Sequence, residues 1–137
     1  MHSFIMTADK ALKKLKEGNA KYLNAETSRG NISRMLRKYT YENGQHPYAI
    51  IITCSDSRVI PESIFSAGLG DLFVIRVAGN VIDDHQLGSI EYAADHLGSP
   101  LIVVLGHTFC GAVDAAINHD PQGYIKYFTD EIKLARG

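Results

Sequence analysis

Two short motifs hold the residues of this 137-residue chain best suited to chemistry: Cys54-Ser55-Asp56-Ser57-Arg58 and His107-Thr108-Phe109-Cys110, each directly after an apolar run. Together they offer two thiolates and one imidazole. That donor set suits zinc better than magnesium or calcium, and three ligands leave a fourth coordination position open. His107 and Cys110 are three apart, so one loop can present both, while Cys54 would supply the third bond from another element. Asp56 and Arg58 are two apart, and from an extended or turn segment their side chains can point the same way. A bidentate carboxylate–guanidinium pair would fix the aspartate and lower its pKa. Beside a metal, the pair would orient a bound water, or the Asp56 carboxylate would take the fourth position itself and close the site. A competing reading makes Cys54 a thiolate nucleophile in an anion-binding loop. Phosphatase-type loops of that kind have five residues between Cys and Arg; here three intervene, and no glycine frees the backbone amides.

For Cys54 and His107 to meet, the 52 residues between them must fold so that both motifs lie at one place. Residues 48–53, 72–77 and 101–105 are β-rich runs, the last apolar on both faces, as suits a buried parallel strand. Helical segments separate them: 61–67, opened by Pro61, and 86–97, preceded by the capping candidates Asp83 and Asp84. Two further helices are expected near 111–118 and 123–134. Alternation of strand and helix predicts an α/β fold, a mainly parallel sheet flanked by helices with right-handed crossovers. Such sheets bind ligands beyond the carboxyl ends of their strands. Cys54 ends the first strand and His107 follows the third, so both motifs fall on the same edge. Upstream, residues 7–23 have Ala8, Leu12, Leu15, Tyr22 and Leu23 near helical spacing and lysines elsewhere around the wheel; residues 32–41 form a second short helix, stopped by Asn43-Gly44. The expected organisation is one domain over 1–137, with a helical arm in 1–45 and an α/β metal-binding core in 46–137.

Composition excludes several classes. With 14 basic against 15 acidic residues the net charge is -1, which speaks against a nucleic-acid-binding surface. No apolar run approaches the ~20 residues of a membrane span, and the amino terminus has no signal-like core, so a soluble cytoplasmic protein is expected. Two cysteines in a reducing compartment are free or metal-bound rather than paired.

With these residues in hand, the chain resembles the β-class carbonic anhydrases, notably their bacterial branch. Cys54-x-Asp56-x-Arg58 and Gly106-His107-x-x-Cys110-Gly111-Ala112 match the family's signature pair, and Arg76-Val77-Ala78-Gly79-Asn80 and Gly88-Ser89-Ile90-Glu91-Tyr92-Ala93 also match. The resemblance implies a zinc enzyme that interconverts CO2 and bicarbonate by attack of zinc-bound hydroxide. It makes Cys54, His107 and Cys110 the zinc ligands and Asp56 with Arg58 the catalytic dyad, Asp56 serving as a fourth ligand in a closed state of some members. Two thiolates should leave the metal's water less acidic than a three-histidine site does, so activity should rise toward alkaline pH. The resemblance also implies a homodimer, or a tetramer built from it, whose amino-terminal helices wrap the neighbouring subunit.

Two departures bear on these expectations. Family members usually carry a further segment after the helix resembling 125–134, so the chain reads as a shortened member with the third-strand side of its sheet open. The alternative function is accordingly a shortened zinc-binding homologue with little activity, acting as a binding or regulatory dimer. The second departure concerns an inhibitory bicarbonate site, which in relatives often uses a Trp three residues before the first Cys ligand. Ile51 stands there, although Arg76 matches that site's arginine. Val59, Ala78 and Gly79 are expected to line the substrate pocket.

Overall fold

The computed structural model describes residues 6–24 and 30–137, so part of the expected helical arm lies outside the described residues. The middle of the structure is β1 (Ala49–Thr53), an Ala-Ile-Ile-Ile-Thr run in which every residue is buried. β-Branched side chains favour this extended backbone, and only a strand covered on both faces can bury five in succession. Parallel neighbours flank β1 on either side, β2 (Leu72–Arg76) and β3 (Ile102–Val104), giving the sheet order β2-β1-β3. In register, Thr53 stands opposite Arg76, and Ile52 opposite Val104.

Side chains alternate across β1. Ala49 and Ile51 face α1 (Ala8–Asn24), meeting Ala11 and Leu15, with Phe65, Val74 and Val103 packed around them. Ile50 faces the other way, with Ile75 and Ala93, toward α4 (Asp84–Glu91) and the single π-type turn Tyr92–His96 that continues it. Asp83 caps α4 and forms a capping box with Gln86, as the acidic pair before that helix predicts. The remaining helices are α2 (Arg34–Asn43), α3 (Pro61–Ile64), α5 (Gly111–Asn118) and α6 (Ile125–Arg136). α3 is shorter than the expected 61–67 because Ser66 turns into the left-handed region at φ 48°.

One expectation is corrected. The third strand is not buried on both faces. Val103 joins the α1 side of the core, but Ile102 is 48% and Val104 67% exposed. Their side of the sheet is covered over β1 and β2 by the α4 segment, whose core contacts are with Ile50, Ile75 and Phe73 and do not extend to β3. Apolar alternation cannot by itself distinguish a covered face from one left at an edge.

The arm helix is anchored on its own sheet by its Ala11, Leu15 and Gly18 stripe. At Gly18 the helix meets α3 backbone to backbone: Asn19 Nδ2 donates to the Ile64 carbonyl at 3.0 Å, and Ser66 Oγ to the Gly18 carbonyl at 2.9 Å. A Cβ at Gly18 would stand 1.7 Å from the Phe65 carbonyl oxygen. Gly18→Ala therefore opposes two effects, a gain of about 1 kcal/mol in helix propensity and a steric conflict with backbone that cannot move aside. The conflict wins, and a net loss of about 1–3 kcal/mol is expected in urea unfolding; a gain in stability would show that α1 does not seat there.

Candidate metal centre

Sheet pairing carries the two motifs to one edge. Thr53, wholly buried, donates its hydroxyl to the Leu105 carbonyl at 2.8 Å, and Asn80 Nδ2 donates to the same oxygen at 2.9 Å. This fixes the residue before Cys54 against the residue two before His107. From that start Cys54, His107 and Cys110 converge, with their ligand atoms all within 4.8 Å of one another. The two sulfurs are 4.0 Å apart. Tetrahedral zinc with bonds of ~2.3 Å to sulfur places two thiolates about 3.8 Å apart, so the spacing already approaches that of a ligand pair.

Each of these three donors is prepared by its surroundings. His107 Nδ1 donates to the Thr108 carbonyl at 2.9 Å, an oxygen that can only accept, so Nε2 carries the lone pair. That Nε2 is buried and has no hydrogen-bond partner among the described residues. An orphaned imidazole nitrogen beside two thiols fits a soft divalent metal, whose bond would satisfy it. The neighbouring Cys54 sulfur raises the imidazole above its ordinary pKa, with burial opposing. Cys54 itself is only 4% exposed. Burial pushes its thiol up, but the Gly79 N–H, His107, the Asp56 N–H and Cys110 together outweigh this and bring it down to about 7. The Gly79 N–H lies 3.3 Å from the sulfur. Cys110 occupies the cap position before α5.

Asp56 and Arg58 form the predicted fork. Arg58 Nε donates to Asp56 Oδ1 at 3.0 Å and Nη2 to Oδ2 at 2.6 Å, while the Arg58 backbone N–H also reaches Oδ1 at 2.8 Å. These hydrogen bonds hold the Asp56 carboxyl far below the usual carboxylate range and raise Arg58. Asp56 Oδ2 is 4.0 Å from His107 Nδ1, so the carboxylate lies beside the ligand cluster while its oxygens are held by Arg58. Arg58 Nη2 also donates to the Phe109 carbonyl at 2.8 Å, tying the dyad to the loop between the other two ligands. The guanidinium therefore faces Asp56 and a carbonyl, which leaves no anion cradle in front of the Cys54 sulfur of the kind the nucleophile reading requires.

A cleft of about 350 Å³ opens at this edge, lined by Tyr22, Arg58, Val59, Ile64, His107 and Thr108 among others. Val59 is there as expected; Gly79 instead lines a separate cleft against α6 with Glu131 and Ile132. Three residues that sequence reasoning did not place in the site also act on it. Thr53 and Asn80 pin Leu105, and Arg76 bonds to backbone of the first motif, as described below. Thr53 was marked only by its place at a strand end, and Arg76 and Asn80 only by their motif match.

The family model described as carbonic anhydrase matches residues 49–136. Carbonic anhydrase 2 of Mycobacterium tuberculosis is 47% identical over 127 residues, covering 89% of this chain and 61% of that protein. The carbonic anhydrase of Mycolicibacterium smegmatis is 42% identical over the same length and coverage. The chain thus spans about three-fifths of the length of these curated relatives. Among solved structures, the β-carbonic anhydrase CafA of Aspergillus fumigatus superposes with a TM-score of 0.69 at 33% identity, over 93% of this chain and 59% of that one. A structure from work on two tetrameric β-carbonic anhydrases of Sordaria macrospora gives 0.69 at 31%, over 75% and 54%.

If the trio holds zinc, elemental analysis should find one per chain, with affinity weakening as pH falls through about 7, because the protonated Cys54 thiol competes with the metal. Gly79 is held at φ 67°, and a Cβ there would meet Ile132 Cδ1 at 2.5 Å. Gly79→Ala should therefore displace the N–H donor from Cys54 and weaken zinc binding about 10- to 100-fold in a chelator competition; unchanged affinity would show that this donor is dispensable.

Proposed function

From the premise that this chain belongs to the β-class carbonic anhydrase family, we propose that it interconverts carbon dioxide and bicarbonate, with zinc held by Cys54, His107 and Cys110. The observation that carries this reading is the convergence of two thiols and an orphaned imidazole Nε2 beside a carboxylate already engaged by an arginine. Bound there, zinc supplies Lewis acidity that draws the pKa of water down, toward ~7 in favourable sites, and so makes hydroxide available to attack CO2. Two thiolate ligands neutralise the ion's formal charge, so activity is expected to rise toward alkaline pH.

The residues around the metal divide the remaining work. Asp56, ionised and held at both oxygens, accepts a hydrogen bond from the attacking group and directs its lone pair toward the substrate carbon. Arg58 keeps that carboxylate charged and links it to the Phe109 carbonyl. For Asp56 to become a fourth metal ligand, an oxygen would have to leave Arg58, so the arrangement supports an open site. The cleft beside His107 and Val59 is large enough for a small linear substrate. Assembly as a homodimer or tetramer is supported by the exposed apolar residues Leu23, Ile102 and Val104 and by the tetrameric Sordaria macrospora relatives. The proposed setting is cytoplasmic, without nucleic-acid or membrane partners; the near-neutral charge speaks against a nucleic-acid surface, and among the described residues no helix is long and apolar enough to cross a membrane. Residues 46–137 make up the zinc-binding core of the proposed single domain, and the described part of 1–45 its helical arm.

Stopped-flow CO2 hydration between about pH 7 and 9, on protein carrying one zinc per chain, tests the reading. Turnover rising with pH is expected. Its absence at every pH despite full zinc would favour the non-catalytic homologue. Asp56→Asn should keep its zinc and lose turnover about 10- to 100-fold; near-normal turnover would make Asp56 a structural residue.

A further inference from the structure

The loop that follows β1 leaves the sheet at Thr53, so its carbonyls have no strand to pair with. Buried or half-buried carbonyls of this kind must find donors elsewhere. Two of them find the same one. Arg76, the last residue of β2, stands opposite Thr53 and reaches past the strand end: Nε donates to the Cys54 carbonyl at 3.0 Å and Nη2 to the Asp56 carbonyl at 2.7 Å. One guanidinium thus spans a metal-ligating residue and the carboxylate-bearing residue two positions on.

We infer that Arg76 is a positioning residue that sets where the Asp56 carboxylate stands relative to the metal trio, without touching substrate. The inference rests on the carbonic anhydrase reading of the site. Arg58 cannot do this work alone. It belongs to the same short loop as Asp56, so the fork between them moves as a unit and fixes the carboxylate only within the loop; among the described residues its one hydrogen bond outside is to the Phe109 carbonyl. Arg76 ties that loop to the sheet. Its planar fork matches two carbonyls at once, whereas a lysine ammonium at the same place is a single point donor. Cys54 is further held from the same segment: the Gly79 N–H donates to its sulfur, and the Val77 N–H donates to the carbonyl of the preceding Thr53 at 3.2 Å. Asp56 has fewer. Among the described residues its carbonyl takes, besides Arg76, only the Val59 N–H at 3.0 Å, from within the same loop. Loss of Arg76 should therefore leave the ligand in place and free the carboxylate, and displacements of ~1 Å are enough to cost most of a rate.

The test compares Arg76→Ala and Arg76→Lys with the wild type in zinc-loaded and cobalt(II)-loaded protein. Arg76→Ala is expected to keep one metal per chain and the wild-type melting temperature, to leave KM little changed, and to lower kcat about 10- to 100-fold, with Arg76→Lys recovering part of the loss. A kcat within about twofold of wild type at full metal loading overturns the inference. So does a loss of metal or of fold in step with turnover, since that would be a merely structural role. If the zinc-loaded wild type shows no CO2 turnover, the carbonic anhydrase reading fails by itself, and the visible absorption of the cobalt protein decides the placement of Arg76. A band shift on Arg76→Ala supports it, and an unchanged spectrum overturns it.

Discussion

The register of β1 between its two parallel neighbours is the constraint on which the site depends. Cys54 and Cys110 are 56 positions apart in the chain, yet their sulfurs lie 4.0 Å from each other. A one-residue slip of β1 against β3 would move Cys54 by ~3.3 Å and turn its side chain to the other face. Zinc bond lengths tolerate about 0.2 Å. The pairing is therefore specified beyond its ladder. Ala49 and Ile51 must face α1 while Ile50 faces the α4 side, and the Thr53 hydroxyl and the Asn80 amide both bond to the Leu105 carbonyl just where the strands end.

Beyond the strand ends, local strain takes over from sheet pairing. Gly79, Asn80 and Phe109 all have positive φ, at 67°, 61° and 56°. For a bulky residue such a conformation costs on the order of 1–3 kcal/mol and persists only where surroundings over-determine it. Each of the three makes a specific contact at the site: Gly79 with the Cys54 sulfur, Asn80 with the Leu105 carbonyl, and Phe109 with Arg58 through its carbonyl. The Phe109 ring, 87% exposed, contributes little packing of its own. The backbone conformation at 109 is thus maintained for what its carbonyl does, and the side chain is incidental to that role within this chain.

Much of this was legible in the residues, and what was not has identifiable reasons. The three parallel strands, the helices between them and the convergence of Cys54, His107 and Cys110 follow from apolar runs that end directly before the two motifs. The Asp56–Arg58 fork follows from their spacing and complementary shapes. Arg76 was visible only as a motif match, because a guanidinium bonding to backbone carbonyls 20 and 22 positions away leaves no pattern in side-chain types. The exposure of Ile102 and Val104 was illegible for another reason: alternation reports that a face is apolar, not what lies over it. The end of α3 at Ile64 depends on Ser66 turning left-handed beneath α1, a tertiary effect that local propensity does not encode.

The central placement of β1 also bears on the order of events during folding. β1 forms early in sequence terms but can be completed only when β2 and then β3 arrive, the last from some 50 residues downstream. Non-local parallel pairing of this kind is slow, because the loop entropy is lost before the contacts form. Until β3 docks, His107 and Cys110 are far from Cys54, and the unfolded chain presents only a two-ligand His-x-x-Cys fragment. A metal held by this trio would therefore not nucleate the fold as it does in small finger domains; it would bind a chain whose sheet is already assembled and stabilise that end state.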